Sequence, residues 1–286
     1  MERIRDALNR ARQERAERVG TSFGTTAVFP KPKLKKEPEQ IVYSSTQTVN
    51  VSSTLLRENR VVSGMETSPM TDAYKILGTQ VMHKLKENGW NAIAVTSPGN
   101  GEGKTLTAIN LAISLAKEMD QTVLLVDADL RQPSVHTYFG LNPLQGLSDY
   151  LRTSMPLDQL LIHPGINGLV ILPGGKPLQN SSEMLGSAKM AELVKELKNR
   201  YPSRLVVFDL PPVLTAADAL AFSPYVDAAL LVVEEGRTPR DDVVRATEML
   251  ASTKLLGTVL NKSSAHDEIE MNVTPWWRRW FVREER

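Results

Sequence analysis

The segment Thr96-Ser97-Pro98-Gly99-Asn100-Gly101-Glu102-Gly103-Lys104-Thr105 sets glycines at alternate positions ahead of a lysine and a threonine. Glycines let consecutive backbone N–H groups curl around an oxyanion, and a helix opening there adds the partial positive charge of its N-terminus. A lysine placed like Lys104 reaches the outer phosphates of a nucleoside triphosphate, and a hydroxyl placed like Thr105 binds Mg2+. The expected cradle comprises Gly99, Asn100, Gly101, Glu102, Gly103, Lys104, Thr105 and Leu106. The spacing departs from a strict G-x-x-x-x-G-K-[ST] pattern, because Pro98 stands where the first glycine belongs. Gly99 and Gly101 supply flexibility nearby.

Two further segments put carboxylates at the ends of apolar runs: Val123-Leu124-Leu125-Val126-Asp127-Ala128-Asp129-Leu130-Arg131 and Leu205-Val206-Val207-Phe208-Asp209-Leu210-Pro211-Pro212. A carboxylate at the end of a buried strand is costly unless it meets a cation. Lys104 and a magnesium-bound nucleotide would supply one. If the first strand persists, Asp127 and Asp129, two residues apart, share one face. One can then face metal while the other meets a substrate hydroxyl or a neighbouring loop.

These residues need a scaffold that brings strand ends together. Short apolar β-type runs at Ala92–Thr96, Thr122–Val126, Leu169–Leu172, Leu205–Phe208, Ala228–Val233 and Thr258–Leu260 alternate with helical patterns at Asp72–Glu87, Lys104–Glu118, Ser182–Lys198 and Arg240–Thr253. Strands apolar along their whole length, alternating with helices, predict an α/β fold with a mostly parallel sheet covered on both faces. Ligands of such sheets sit at the carboxyl ends of the strands.

The remaining chain divides by composition. Residues 1–20, rich in Arg and Glu, predict a charged helix; residues 21–67 read as a flexible linker with the basic run Lys31-Pro32-Lys33-Leu34-Lys35-Lys36. Residues 68–264 form the predicted P-loop domain. Residues 265–286 carry Pro275-Trp276-Trp277-Arg278-Arg279-Trp280-Phe281, an amphipathic pattern suited to a membrane surface, a partner, or a groove on the domain itself. The net charge of +1 argues against a nucleic-acid partner. With no cysteine in the sequence, disulfides and thiolate clusters are excluded. No apolar run approaches the roughly 18–20 residues that span a bilayer, and the N-terminus lacks the apolar core of a signal peptide. The expected location is cytoplasmic.

Taken together, the three motifs resemble the cytoplasmic kinase domain of bacterial tyrosine autokinases (BY-kinases), which regulate exopolysaccharide chain length, polymerisation and export. Gly103-Lys104-Thr105 is similar to their Walker A loop, Asp127-Ala128-Asp129-Leu130-Arg131 to their D-x-D-x-R element, and Asp209-Leu210-Pro211 to their Walker B strand end. Pro173-Gly174-Gly175, Asn180-Ser181-Ser182-Glu183-Met184-Leu185, Gly236-Arg237-Thr238 and Val259-Leu260-Asn261-Lys262 extend the likeness over roughly residues 68–262. The resemblance implies ATP as the nucleotide, with Lys104 and Thr105 on phosphates and Mg2+. It implies Asp129 and Asp209 at the metal, Asp127 as the base for a tyrosine hydroxyl, Arg131 within the site and Asn261 at the adenine. It also implies a separate membrane partner of the chain-length-determinant (Wzz-like) type, assembly into homo-oligomers, and a peripheral place at the inner face of the plasma membrane.

Two departures from the family pattern keep other readings open. The last tyrosine is Tyr225, where relatives carry a later tyrosine cluster. The family's E-x-x-R-x-x-R helix reads Asp72-Ala73-Tyr74-Lys75-Ile76-Leu77-Gly78. A nucleotide switch without phosphoryl transfer to protein is one alternative. A MinD/ParA-type positioning ATPase is the other, although Gly99 stands where that class carries an extra lysine. Tyr43 is a conceivable phosphorylation target.

Overall fold

A computed structural model describes residues 47–62, 68–117, 122–200 and 204–263. The predicted charged helix at 1–20, Tyr43 and the aromatic segment at 265–286 lie outside the described residues. The elements in chain order are β1 (Gln47–Thr48), α1 (Ser53–Glu58), α2 (Pro69–Asn88), β2 (Ala92–Thr96), α3 (Lys104–Ala116), β3 (Thr122–Asp127), α4 (Val135–Tyr138) and α5 (Leu147–Thr153). They continue with β4 (Ile162–His163), β5 (Leu169–Leu172), α6 (Ser181–Leu185), α7 (Ala188–Arg200), β6 (Arg204–Asp209), α8 (Asp218–Phe222), β7 (Ala228–Glu234), α9 (Arg240–Met249) and β8 (Lys254–Asn261).

The strands form one sheet in the order β1-β4-β5-β3-β6-β2-β7-β8. Every neighbouring pair is parallel except β4–β5, a short antiparallel contact at Ile162 and Ile171. Alternation along each strand feeds two separate cores. Ile93, Val95, Val123, Leu125, Val207 and Leu230 join α2 and α3 on one face. Ala94, Leu124, Val126, Phe208 and Leu231 join Leu193, Val194 and Leu197 of α7 on the other. This explains why the central strands read as unbroken apolar runs: both of their faces are dry.

Local chemistry sets the helix bounds. Ser68 caps α2 by accepting a hydrogen bond from the Thr71 N–H at 3.1 Å, Pro69 opens its first turn, and Gly89 ends it at φ +68°. Gly78 within α2 is a point of close approach: a Cβ there would lie 2.6 Å from Ser114 Oγ of α3. Any side chain at this position, including the cation of the family's helix motif, would require Ser114 to shift. The helix predicted over Ser182–Lys198 is two helices. Ser187 starts the second, its hydroxyl accepting from the Met190 N–H at 3.2 Å.

The linker expected over 21–67 does not hold across 47–62. Leu56, Val61 and Val62 are buried in the α2–α3 core. Asn110 of α3, itself buried, holds this segment from both sides: its Oδ1 accepts from the Val62 N–H at 3.0 Å and its Nδ2 donates to the Arg60 carbonyl at 3.0 Å. The anchoring aliphatics come in adjacent pairs, too short a pattern to show periodicity.

Candidate active site

β2, β3 and β6 end at one place, and the loop between β2 and α3 lies across it. The start of this loop is zipped onto the chain leaving β6. The Leu210 N–H donates to the Val95 carbonyl, the Val213 N–H to the Ser97 carbonyl, and the Thr96 hydroxyl to the Pro211 carbonyl. Inside the loop the left-handed residues are Gly101 (φ +79°) and Gly103 (φ +95°). Pro98 occupies a position that needs no such freedom, which accounts for the departure from the strict glycine pattern. Gly103 is also short of space, since a Cβ there would meet Asn261 Nδ2 at 2.1 Å.

The loop delivers Lys104 and Thr105 to the carboxylates. Lys104 Nζ lies 2.8 Å from Asp129 Oδ2 and 3.5 Å from Asp209 Oδ1, and the Thr105 hydroxyl donates to Asp209 Oδ2 at 2.6 Å. Asp127 and Asp209 are register partners at the ends of β3 and β6, and both are fully buried. Asp127 Oδ2 accepts the N–H groups of Ser134 (2.9 Å) and Val135 (3.0 Å), at the start of α4. Its Oδ1 is buried with no hydrogen-bond partner among the described residues. β3 stops at Asp127, so Asp129 lies beyond the strand, its Oδ1 held by the Gln132 N–H at 3.1 Å.

Four charged groups in so little water perturb one another. Burial and then the Asp209 charge push the Asp127 carboxyl up to about 8. Burial also raises Asp209, against the opposing pull of Lys104 and the Thr105 hydroxyl. Burial alone would lower Lys104, but Asp209 and Asp129 outweigh it and hold the ammonium above the ordinary lysine value. The group can therefore keep one proton between Asp127 and Asp209 while Lys104 remains charged.

The other expected residues are placed as follows. Asn100 and Gly101 are exposed on the loop, and Leu106 is half-buried against the α2–α3 core. The Gly99 N–H donates to Glu102 Oε2 at 3.0 Å. Asn261 Nδ2 donates to the Glu102 carbonyl at 2.8 Å. Arg131 turns to Asp218 (2.9 Å) and Ser182 (3.3 Å), in the segments after β6 and β5. The structure also brings to the loop residues to which sequence reading assigned no role: Glu234 at the end of β7, Thr238 just beyond it, and Lys262, which donates to the Gly101 carbonyl at 2.7 Å. A side chain bonding a backbone atom 161 positions away leaves no spacing signal.

Residues 93–274, more than half of the chain, match the model of the CobQ/CobB/MinD/ParA nucleotide binding domain. The tyrosine-protein kinase YwqD of Bacillus subtilis (strain 168) is 34% identical over 217 residues, 74% of this chain and 90% of that protein. The chain belongs to the bacterial tyrosine-protein kinase family. Among solved structures, the chimerical protein CapA2B2 is 30% identical and aligns with a TM-score of 0.66 over 76% of this chain and 93% of its own. The septum site-determining protein MinD of Pyrococcus horikoshii OT3, complexed with Mg-ADP, is 25% identical with a TM-score of 0.51 over 61% of this chain and 72% of its own. This kinase-family chain thus carries a nucleotide-binding P-loop domain on a mostly parallel sheet, the fold of an ATP-using enzyme.

Proposed function

We propose that the chain binds Mg2+-ATP at the β2–α3 loop and transfers the γ-phosphoryl group to tyrosine hydroxyls. One observation supports this above the rest: Lys104, Thr105, Asp129 and Asp209 meet within hydrogen-bonding distance at the N-terminus of α3. The donor set suits magnesium. It offers hard oxygens from a hydroxyl and carboxylates, and Asp127 Oδ1 is a buried acceptor without a partner. Among the described residues, no three acidic or histidine groups form a metal cage by themselves. An ion that arrives with the phosphates and keeps much of its water needs only one or two carboxylates. Thr105, Asp129 and Asp209 would hold it, and it would neutralise charge on the phosphate oxygens.

The chain's own groups do the rest. Lys104 is already charged and confined, so it can move from the carboxylates to phosphate oxygens. The first turn of α3 directs N–H groups at the anion. As the tyrosine oxygen bonds to the γ-phosphorus, the bond to the bridging oxygen of ADP breaks, and Asp127 takes the phenolic proton. With its carboxyl pushed up to about 8, Asp127 accepts that proton through its ionised fraction, which grows as pH rises toward that value.

Family membership supports a reading of the wider setting. The partner is a membrane chain-length-determinant protein, the process is exopolysaccharide assembly, and the chain works as a homo-oligomer on the inner face of the membrane. No helix among the described residues is long and apolar enough to cross a membrane. The 265–286 segment is a second means of contact with the lipid surface. The deciding experiment incubates the protein with labelled ATP and its partner, and compares wild type with Lys104→Ala and Asp127→Asn. Label on tyrosine, mapped by mass spectrometry with Tyr43 as one candidate, supports the kinase reading. Release of free phosphate alone refutes it and leaves a nucleotide switch.

A further inference from the structure

Glu102 was expected in the phosphate cradle, yet its carboxylate is engaged elsewhere. The side chain is buried, and both oxygens are used. Oε2 accepts the Gly99 N–H at 3.0 Å, and Oε1 accepts the Thr238 hydroxyl at 2.6 Å. The Thr238 oxygen in turn accepts the Glu234 N–H at 2.9 Å. Both donors to Glu102 are neutral, and among the described residues no ion pair offsets the desolvation of its carboxylate. Mere filling of this space would not need a charge. A carboxylate carries only acceptors, however, and can take an N–H on one oxygen and an O–H on the other.

The two bonds do different things. The bond to Gly99 closes the turn from 99 to 102 on itself. The bond to Thr238 ties that turn to the connection between β7 and α9, an element on the far side of β2 from β3 and β6. Asn261 Nδ2 on the Glu102 carbonyl and Lys262 Nζ on the Gly101 carbonyl hold the backbone of the same turn from the end of β8. A loop fixed before its ligand arrives loses less freedom on binding.

We propose that Glu102 and Thr238 form a latch that preorganises the phosphate loop, with Glu102 as a positioning residue that does not touch the nucleotide. The proposal rests on the reading of this loop as the Mg2+-ATP site.

The test measures Mg2+-ATP affinity by calorimetry, and amide exchange at the loop without nucleotide, for the full chain and four variants. Glu102→Gln sets an amide donor where one of the two present donors points, and Thr238→Val removes the hydroxyl. Each should weaken Mg2+-ATP about tenfold or more. The double variant should be no weaker than the stronger single, because both break one bridge. Thr238→Ser should restore wild-type affinity. Exchange at Gly99 should quicken in the first three variants and not in Thr238→Ser, with the melting temperature held. Wild-type affinity and protection in Glu102→Gln and Thr238→Val overturn the latch. Additive losses also overturn it, since they make Glu102 a direct ligand. If the wild type itself has no affinity for Mg2+-ATP, the site reading fails instead, and Gly99 exchange still decides the latch.

Discussion

Asp127 and Asp209 face each other across the last paired register of β3 and β6, both without solvent exposure. Two like charges this close cannot both ionise cheaply, and one cation, Lys104, answers them. The arrangement trades stability for a site.

The first prediction concerns pH. Asp127 titrates at about 8 in the folded chain, far above an unfolded aspartate. Between those two values the folded state holds a proton that the unfolded state has lost. Its contribution to stability is complete below the unfolded value and disappears as pH rises through about 8. Thermal melts of the nucleotide-free protein should fall with rising pH across this window, and the Asp127→Asn variant should flatten that dependence. Parallel slopes in the two proteins would contradict the assignment.

Lys104→Ala removes the shared cation. Mg2+-ATP affinity should fall by about a hundredfold or more, as expected for loss of charge-assisted bonds to phosphate. The nucleotide-free variant should also melt lower, because Asp129 and Asp209 lose their counter-ion. Calorimetry and a melting curve on one preparation check both effects.

Gly103→Ala should fold but bind nucleotide poorly. Its φ of +95° is strained for any side chain, and the new methyl would collide with Asn261 Nδ2. We expect Mg2+-ATP affinity to drop at least about tenfold, a loss of roughly 1–2 kcal/mol or more. Gly99→Ala is the comparison; the nearest atom there is 3.6 Å away, so a smaller effect is expected.

Arg131 should matter for stability. Burial would raise Asp218, but the neighbouring hydroxyls of Ser181 and Ser182, together with Arg131, overturn that and hold the carboxyl below its ordinary value. Such a group stabilises the fold above the unfolded aspartate value, and that stability is lost as pH falls through the lower, folded one. Arg131 is about half exposed, so Arg131→Ala should cost only about 1–2 kcal/mol, or a few degrees in melting temperature. The variant should also lose less on acidification than wild type. An unchanged melting curve down to acid pH would remove this role.

The sheet was legible in the sequence where strands are buried on both faces. Ala92–Thr96 and Leu169–Leu172 end where their apolar runs end. Lys104, Thr105, Asp129 and Asp209 could be anticipated as neighbours because a strand-end carboxylate requires a cation. Elements made by short contacts could not be seen. β4 is two residues long, and α8 covers only Asp218–Phe222. Likewise Asp127 is held by backbone N–H groups at Ser134 and Val135, which any residue except proline could supply. Glu102 shows the opposite limit: its membership of the loop was evident, but the direction of its side chain depends on Thr238, 136 positions later.

The grip of Asn110 on residues 60–62 bears on how this protein is handled. A recombinant fragment beginning at residue 68 would look natural from the motif positions, since it keeps every catalytic candidate. It would leave one amide group inside α3 with two empty bonding directions and strip Leu56, Val61 and Val62 from the adjoining apolar surface. Fragments meant for crystallisation or assay are better started before residue 47, so that β1 and the segment after it travel with the helix they close.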